Sequence, residues 1–130
     1  MRERLSVGER IIGEDAAPYI IAEAGVHHYN SVELAKELIL QARIAGADAI
    51  KFQTYTADRL VTRWAPTYWK GGESQTQHEI FAARSRLRQE DYVELVRYAN
   101  ELGITFLSTP FDEDAARFLD ELGMPVFKIA

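Results

Sequence analysis

The 130-residue sequence predicts an α/β fold of parallel strands joined by helical crossovers, and three observations predict it. Four apolar stretches of strand length stand near 19–23, 49–53, 104–109 and 125–129. A helix, a glycine and a strand recur three times, around Ile44-Ala45-Gly46, Glu101-Leu102-Gly103 and Glu121-Leu122-Gly123. The four strands also carry polar, reactive side chains at or near their C-terminal ends: Glu23, then Lys51 and Gln53, then Thr109, then Lys128. A strand buried in a parallel sheet is ordinarily apolar throughout. A charge there is costly unless it is paired or used. In barrels and open α/β sheets the C-terminal strand ends carry the active site.

Residues 1–17 read as a short hairpin and a lead-in. Leu5 to Ile12 forms the hairpin with Gly8-Glu9 at its turn, and Asp15-Ala16-Ala17-Pro18 leads to the first strand. After Glu23 the segment Ala24 to Tyr29 is a strand-to-helix loop. Asn30 or Ser31 caps the following helix, with Glu33 in its first turn. Ala35, Leu38, Ile39 and Ala42 form its apolar stripe, and Gly46 suits a left-handed C-terminus. Leu87 to Leu102 reads as a second helix, with Tyr92, Leu95, Val96, Ala99 and Leu102 on one face. Asp112 caps a third, whose face is Ala115, Phe118, Leu119 and Leu122.

One connection departs from this rhythm. Thr54 to about Arg86 has no strand pattern, although Gln75 to Arg86 is compatible with a short helix. It holds Tyr55, Trp64, Tyr68 and Trp69 together with Arg59, Arg63 and Lys70. A connection this long in a compact domain is usually functional or disordered. Either it forms a lid over the strand ends, or its aromatics pack it onto the rim or onto a partner subunit.

Composition narrows the classes. The apolar fraction of 47% is globular, and no apolar run is long enough to cross a bilayer. The charged N-terminus is followed by no apolar signal segment. Cysteine is absent, which excludes disulfide and thiolate chemistry and fits a cytoplasmic protein. A net charge of −5 argues against general nucleic-acid binding, while leaving room for an anionic small molecule held by a few lysines. A closed barrel of eight β/α units needs about 250 residues. Four strands ending at Ala130 are therefore expected to be the first half of a larger body, with open edges that make it poorly soluble or self-associating when alone.

The strand-end residues admit several roles. Lys51 and Lys128 suit a ligand with two anionic groups. Alternatively one of them is a Schiff-base nucleophile, or each snorkels to water or pairs with an acid. Glu23 suits acid/base work or sugar hydroxyls, or else a salt bridge to Lys51 on the neighbouring strand. Gln53 can donate and accept to a polyol. Thr109 precedes Pro110 and lies near a helix N-terminus, a place for phosphate or simply a turn. His27 and His28 are neighbours whose side chains diverge, which makes them poor metal co-ligands. Gly71-Gly72 is followed by Glu-Ser, so no phosphate-loop motif is present.

Taken together, four segments resemble the sialic acid synthase family. They are Pro18 to His28, Ala45 to Thr54, Phe106 to Asp112 and Val126 to Ala130, in matching order and spacing over nearly the whole chain. That family comprises N-acetylneuraminate synthase and relatives, among them legionaminate and pseudaminate synthases and spore-coat polysaccharide proteins. The resemblance implies a (β/α)8 TIM barrel followed by an antifreeze-like domain. Residues 18–130 would be the N-terminal half of the barrel, inactive alone. It implies condensation of phosphoenolpyruvate with an N-acetylated amino sugar such as N-acetylmannosamine. It assigns Lys51, Thr109 and Lys128 to phosphoenolpyruvate and Glu23 and Gln53 to the sugar, with Glu23 and Lys51 as the catalytic pair. A divalent metal, typically Mn2+, is implied with ligands beyond residue 130, as is a homodimer. The chain departs from the family in two places. Its loop reads His27-His28-Tyr29-Asn30 where the family has Asn-His-x-Gly, and no asparagine stands near Gly72. Asn30 can adopt the positive φ that glycine would supply.

Overall fold

The computed structural model describes residues 4–69, 75–84 and 86–130; the Lys70 and Gly71-Gly72 readings fall outside them. Two short strands, β1 (Leu5–Val7) and β2 (Arg10–Ile12), pair antiparallel across Gly8-Glu9, where Gly8 takes φ +58°. Arg10 pairs with Asp48 at 3.3 Å, and Asp48 also accepts the Ile20 N–H at 2.8 Å. Asp48 immediately precedes the strand at Ala49. The hairpin is thereby held at the N-terminal ends of the main strands, away from their polar ends.

The main sheet has three parallel strands in the order β3 (Ile21–Gly25), β4 (Ala49–Thr54) and β5 (Thr105–Pro110). Two of the helices begin with a cap written in the sequence. Helix α1 (Val32–Ile44) starts at Ser31, whose hydroxyl accepts the Leu34 N–H at 3.1 Å. Asp112 does the same for the Ala115 N–H at 2.8 Å, opening the last helix at Glu113–Glu121. Among the described residues the long connection contains two helices, α2 (Ala57–Leu60) and α3 (Gln77–Arg84), before α4 (Gln89–Leu102); the last helix is α5. Helix α4 ends at Gly103 with φ +69°.

Alternation sends β4 and β5 side chains to two faces. Ile50, Phe52 and Phe106 are buried against Ala35 and Ile39 of α1 and Tyr92, Leu95 and Ala99 of α4. Phe52 and Phe106 stack with centroids 5.2 Å apart. An ion pair between Lys36 and Glu94, and an Arg43 Nε–H bond to the Leu102 carbonyl at 2.9 Å, lock the two helices together. The other face carries Lys51, Gln53 and Thr109.

The expected fourth strand at 125–129 is a correction. Residues 126–130 join no ladder, with Phe127 39% and Ile129 78% exposed. The cause lies at the edge of β5. The Ser108 N–H donates instead to the Met124 sulfur, at 3.1 Å. That thioether takes up a backbone donor that a neighbouring strand would need. The other three strands are displaced from the expected ranges by no more than two residues.

Candidate active site

Register builds the site. Glu23 pairs with Lys51, Lys51 with Leu107, and Gln53 with Thr109. Side chains at such positions point to one face, so three residues far apart in sequence meet there. The Lys51 ammonium forms an ion pair with the Glu23 carboxylate and lies 3.4 Å from Thr109 Oγ1. The lysine side chain is 13% exposed and the glutamate 51%. The cation is thus mostly walled in, while its carboxylate partner faces solvent.

A bulge shapes the mouth. The β3–β4 register slips between Glu23 and Gly25, so that Gly25 sits opposite Phe52. Gly25 takes φ +55°, a conformation that favours glycine. A methyl placed on it would lie 3.5 Å from Glu23 Oε1, 3.8 Å from His27 Nδ1 and 3.9 Å from Gln53 Nε2. Side-chain atoms of Glu23, His27 and Gln53 therefore gather around Gly25. Gln53 is held from behind by its carbonyl, which accepts the Tyr92 hydroxyl at 3.2 Å. Thr54 and Ser108 share a hydroxyl hydrogen bond at 2.7 Å on the opposite face.

His27 was weighed from sequence as a metal ligand, and the structure gives it another place. Its Nδ1–H donates to the Ala24 carbonyl at 3.1 Å, which sets the ring beside Glu23 and Gln53. The signal for this in the sequence was its position four residues past a strand-end carboxylate. His28 is buried, with its ring against Phe52 at 5.9 Å, and its Nδ1 accepts the Asn30 N–H at 3.0 Å. Burial, and then the neighbouring His27, hold its pKa below 6.5, so it is a neutral structural imidazole with its proton on Nε2. The two rings thus serve different partners.

Lys128 stands on the unpaired segment, and its ammonium donates to the Ile129 carbonyl at 2.6 Å. The structure therefore brings together Glu23, Lys51, Gln53 and Thr109, and leaves Lys128 turned to its own backbone. Among the described residues no group of three His, Asp or Glu side chains has the arrangement to hold a metal ion.

The aromatics of the long connection divide. Tyr55 is buried and meets Phe81 of α3 at 5.8 Å and Phe111, just past β5, at 5.6 Å. Trp69 also lies against Phe81, at 6.1 Å. Burial pushes the Tyr55 hydroxyl above its usual pKa of 10. Trp64 and Tyr68 remain on the surface.

A parallel sheet with an acid, an amide, a lysine and a threonine at its C-terminal strand ends has its polar groups where α/β folds place small-molecule sites. Comparison makes this particular. Residues 38–130 match the model of the NeuB family, and the chain belongs to that family. It is 46% identical over 121 residues to the N,N'-diacetyllegionaminic acid synthase of Legionella pneumophila, covering 90% of this chain and 34% of that protein. It is 34% identical over 132 residues to human N-acetylneuraminate-9-phosphate synthase, covering 92% of this chain and 34% of the relative. The crystal structure of the sialic acid synthetase of Leptospira borgpetersenii, in complex with citrate, superposes with a TM-score of 0.81 at 28% identity. That match covers 99% of this chain and 41% of the other. The chain spans about a third of the length of the curated relatives it matches. No helix among the described residues is long and apolar enough to cross a membrane.

Proposed function

We propose that this chain carries the first strand ends of a nonulosonic acid synthase built on a (β/α)8 barrel, and that these ends receive phosphoenolpyruvate and the acceptor sugar. The observation that carries the reading is the Glu23–Lys51–Thr109 row across three strands. In the proposed reaction the methylene carbon of phosphoenolpyruvate forms a bond to the open-chain aldehyde carbon of an N-acetylmannosamine-like sugar. The aldehyde oxygen takes a proton. Positive charge develops at the enol carbon, water adds there and loses a proton, and the resulting tetrahedral centre expels phosphate.

Lys51 is assigned to the anionic end of phosphoenolpyruvate, which would take the place of the Glu23 carboxylate on its ammonium. Thr109 supplies a hydroxyl to the same group. Glu23, so released, is placed to hold a sugar hydroxyl or to move the proton at the aldehyde oxygen. Gln53 offers an amide to the sugar. Lys128 is assigned to phosphoenolpyruvate as well, which requires its ammonium to leave the Ile129 carbonyl. The geometry favours anion binding over a Schiff base. A nucleophilic amine at Lys51 would have to give up its contacts with both Glu23 and Thr109. The Mn2+ implied by family resemblance is assigned to residues beyond 130, as is the surface of a homodimer. The cytoplasm, where phosphoenolpyruvate is made, is the proposed location.

The test is calorimetric titration of phosphoenolpyruvate into the chain and into Lys51→Met. The reading expects saturable binding that falls at least roughly tenfold in the variant, the loss of one charge-assisted contact. Equal affinity in the two proteins would overturn the assignment of Lys51. Reading the gene past codon 130 bears on the whole activity. Four further β/α units with histidines at strand ends would support it, and a stop codon would favour a non-catalytic binding role.

A further inference from the structure

We propose that Asn30 is a positioning residue, a latch that fastens the end of the second β/α connection to the turn carrying His27 and His28 and so holds His27 in place beside the strand ends. Asn30 lies in the turn between β3 and α1, with φ +62°. An L-residue with a side chain rarely adopts that conformation, and glycine adopts it freely. The side chain has a use that glycine lacks. Its Nδ2 donates to the Ala83 carbonyl at 2.7 Å, and its Oδ1 accepts the Arg86 N–H at 2.9 Å. Both partners lie at the end of the connection from 54 to 86, more than fifty residues along the chain. One amide thus satisfies two backbone groups where α3 ends, a place where carbonyls otherwise lack partners.

The other side of the latch reaches the site. The Asn30 N–H donates to His28 Nδ1, which holds that buried ring over Phe52 of β4. His27, three residues before Asn30, stands beside Glu23 and Gln53. On the far side, α3 carries Phe81, which packs on Tyr55 next to the end of β4. Asn30 therefore joins the turn that carries His27 and His28 to the end of helix α3, which packs on Tyr55 just past β4. The inference goes beyond the proposed reaction and does not depend on which substrate is bound.

Two variants separate latch from backbone. Asn30→Gly keeps the positive φ and deletes both hydrogen bonds. Asn30→Asp keeps the acceptor for Arg86 and loses the donor to Ala83. Amide exchange by NMR on the whole chain should show the Arg86 N–H and the amides of residues 77–84 exchanging roughly tenfold faster in Asn30→Gly, while those of Ile50, Leu95 and Phe106 keep their rates. Asn30→Asp should restore slow exchange at Arg86. The His27 ring signal should move in Asn30→Gly, because its turn has lost its outer anchor. Unchanged rates at 77–86 would overturn the latch. So would acceleration spread evenly over β4 and α4, which would make Asn30 a contributor to global stability alone.

Discussion

Two segments of this chain each set one lysine in a short apolar run, and they end in different states. Ala49-Ile50-Lys51-Phe52-Gln53 is strand β4, flanked on both sides by parallel neighbours, with Ile50 and Phe52 each 1% exposed. Pro125-Val126-Phe127-Lys128-Ile129 has the same run of apolar residues around one lysine and joins no sheet. Strand propensity belongs to the residues, whereas a strand belongs to the ladder it joins. For β4, β3 and β5 supply backbone partners, and α1 and α4 cover one face. For 125–129 the adjoining edge offers Ser108, whose N–H is already given to Met124. The lysines follow suit. Lys51 meets a carboxylate and a hydroxyl brought by its neighbours, and Lys128 meets the carbonyl of the next residue.

The sharpest way to break this comparison is to truncate the aromatic in each segment. Phe52→Ala removes a ring packed between Phe106 and His28. It should cost about 3–5 kcal/mol of stability in urea unfolding, the range for a buried phenylalanine that leaves a cavity. Phe127→Ala, at a partly exposed position outside the sheet, should cost less than about 1 kcal/mol. Equal losses would mean that 125–129 is packed as tightly as β4. The lysines give a smaller difference. A double-mutant cycle with Glu23→Gln and Lys51→Met should return a coupling of about 0.5–1 kcal/mol, because the half-exposed carboxylate is screened by water. A matching cycle pairing Lys128→Met with Glu23→Gln should return no coupling. A Lys128 coupling as large as that of Lys51 would place both ammonium groups in one site.

The same contrast explains what could be read in advance. Ser31 and Asp112 were legible as caps because capping is local: the side chain bonds an amide three residues ahead. The faces of α1 and α4 were legible because period 3.6 reports a buried stripe whatever covers it. Glu23, Lys51, Gln53 and Thr109 were legible as strand-end anomalies, and even the Glu23–Lys51 pair was among the alternatives. The fate of 125–129 was not legible, since it turns on a methionine sulfur reaching a backbone amide sixteen residues earlier. Nor was the second partner of each loop residue. Nothing near Asn30 in sequence announces Ala83 or Arg86, and nothing near His27 announces Gln53. Local rules see the donor, and long-range register decides the acceptor.

The smallest expected effect probes the packing over β4 through pH. His28 titrates near 6.5 when unfolded and below that when folded, because burial and His27 both oppose the imidazolium. Between the two values the unfolded chain binds more protons than the folded one. Stability is therefore fully present above about pH 6.5, falls as pH drops through that value and levels off below the folded pKa. Asp58 and Asp91 also contribute a pH dependence, but in a different window. The His78 hydrogen bond holds the first below 3.8, and the Arg88 backbone N–H does the same for the second. Their contributions are lost only as pH falls below about 4. Urea midpoints at pH 7.5 and 5.5 should separate more in the parent chain than in His28→Gln, which is poorer in packing but cannot take the proton. If the two proteins lose equal stability between these pH values, His28 is not a buried neutral ring, and the wall behind Phe52 is wetter than the tight packing of β4 requires.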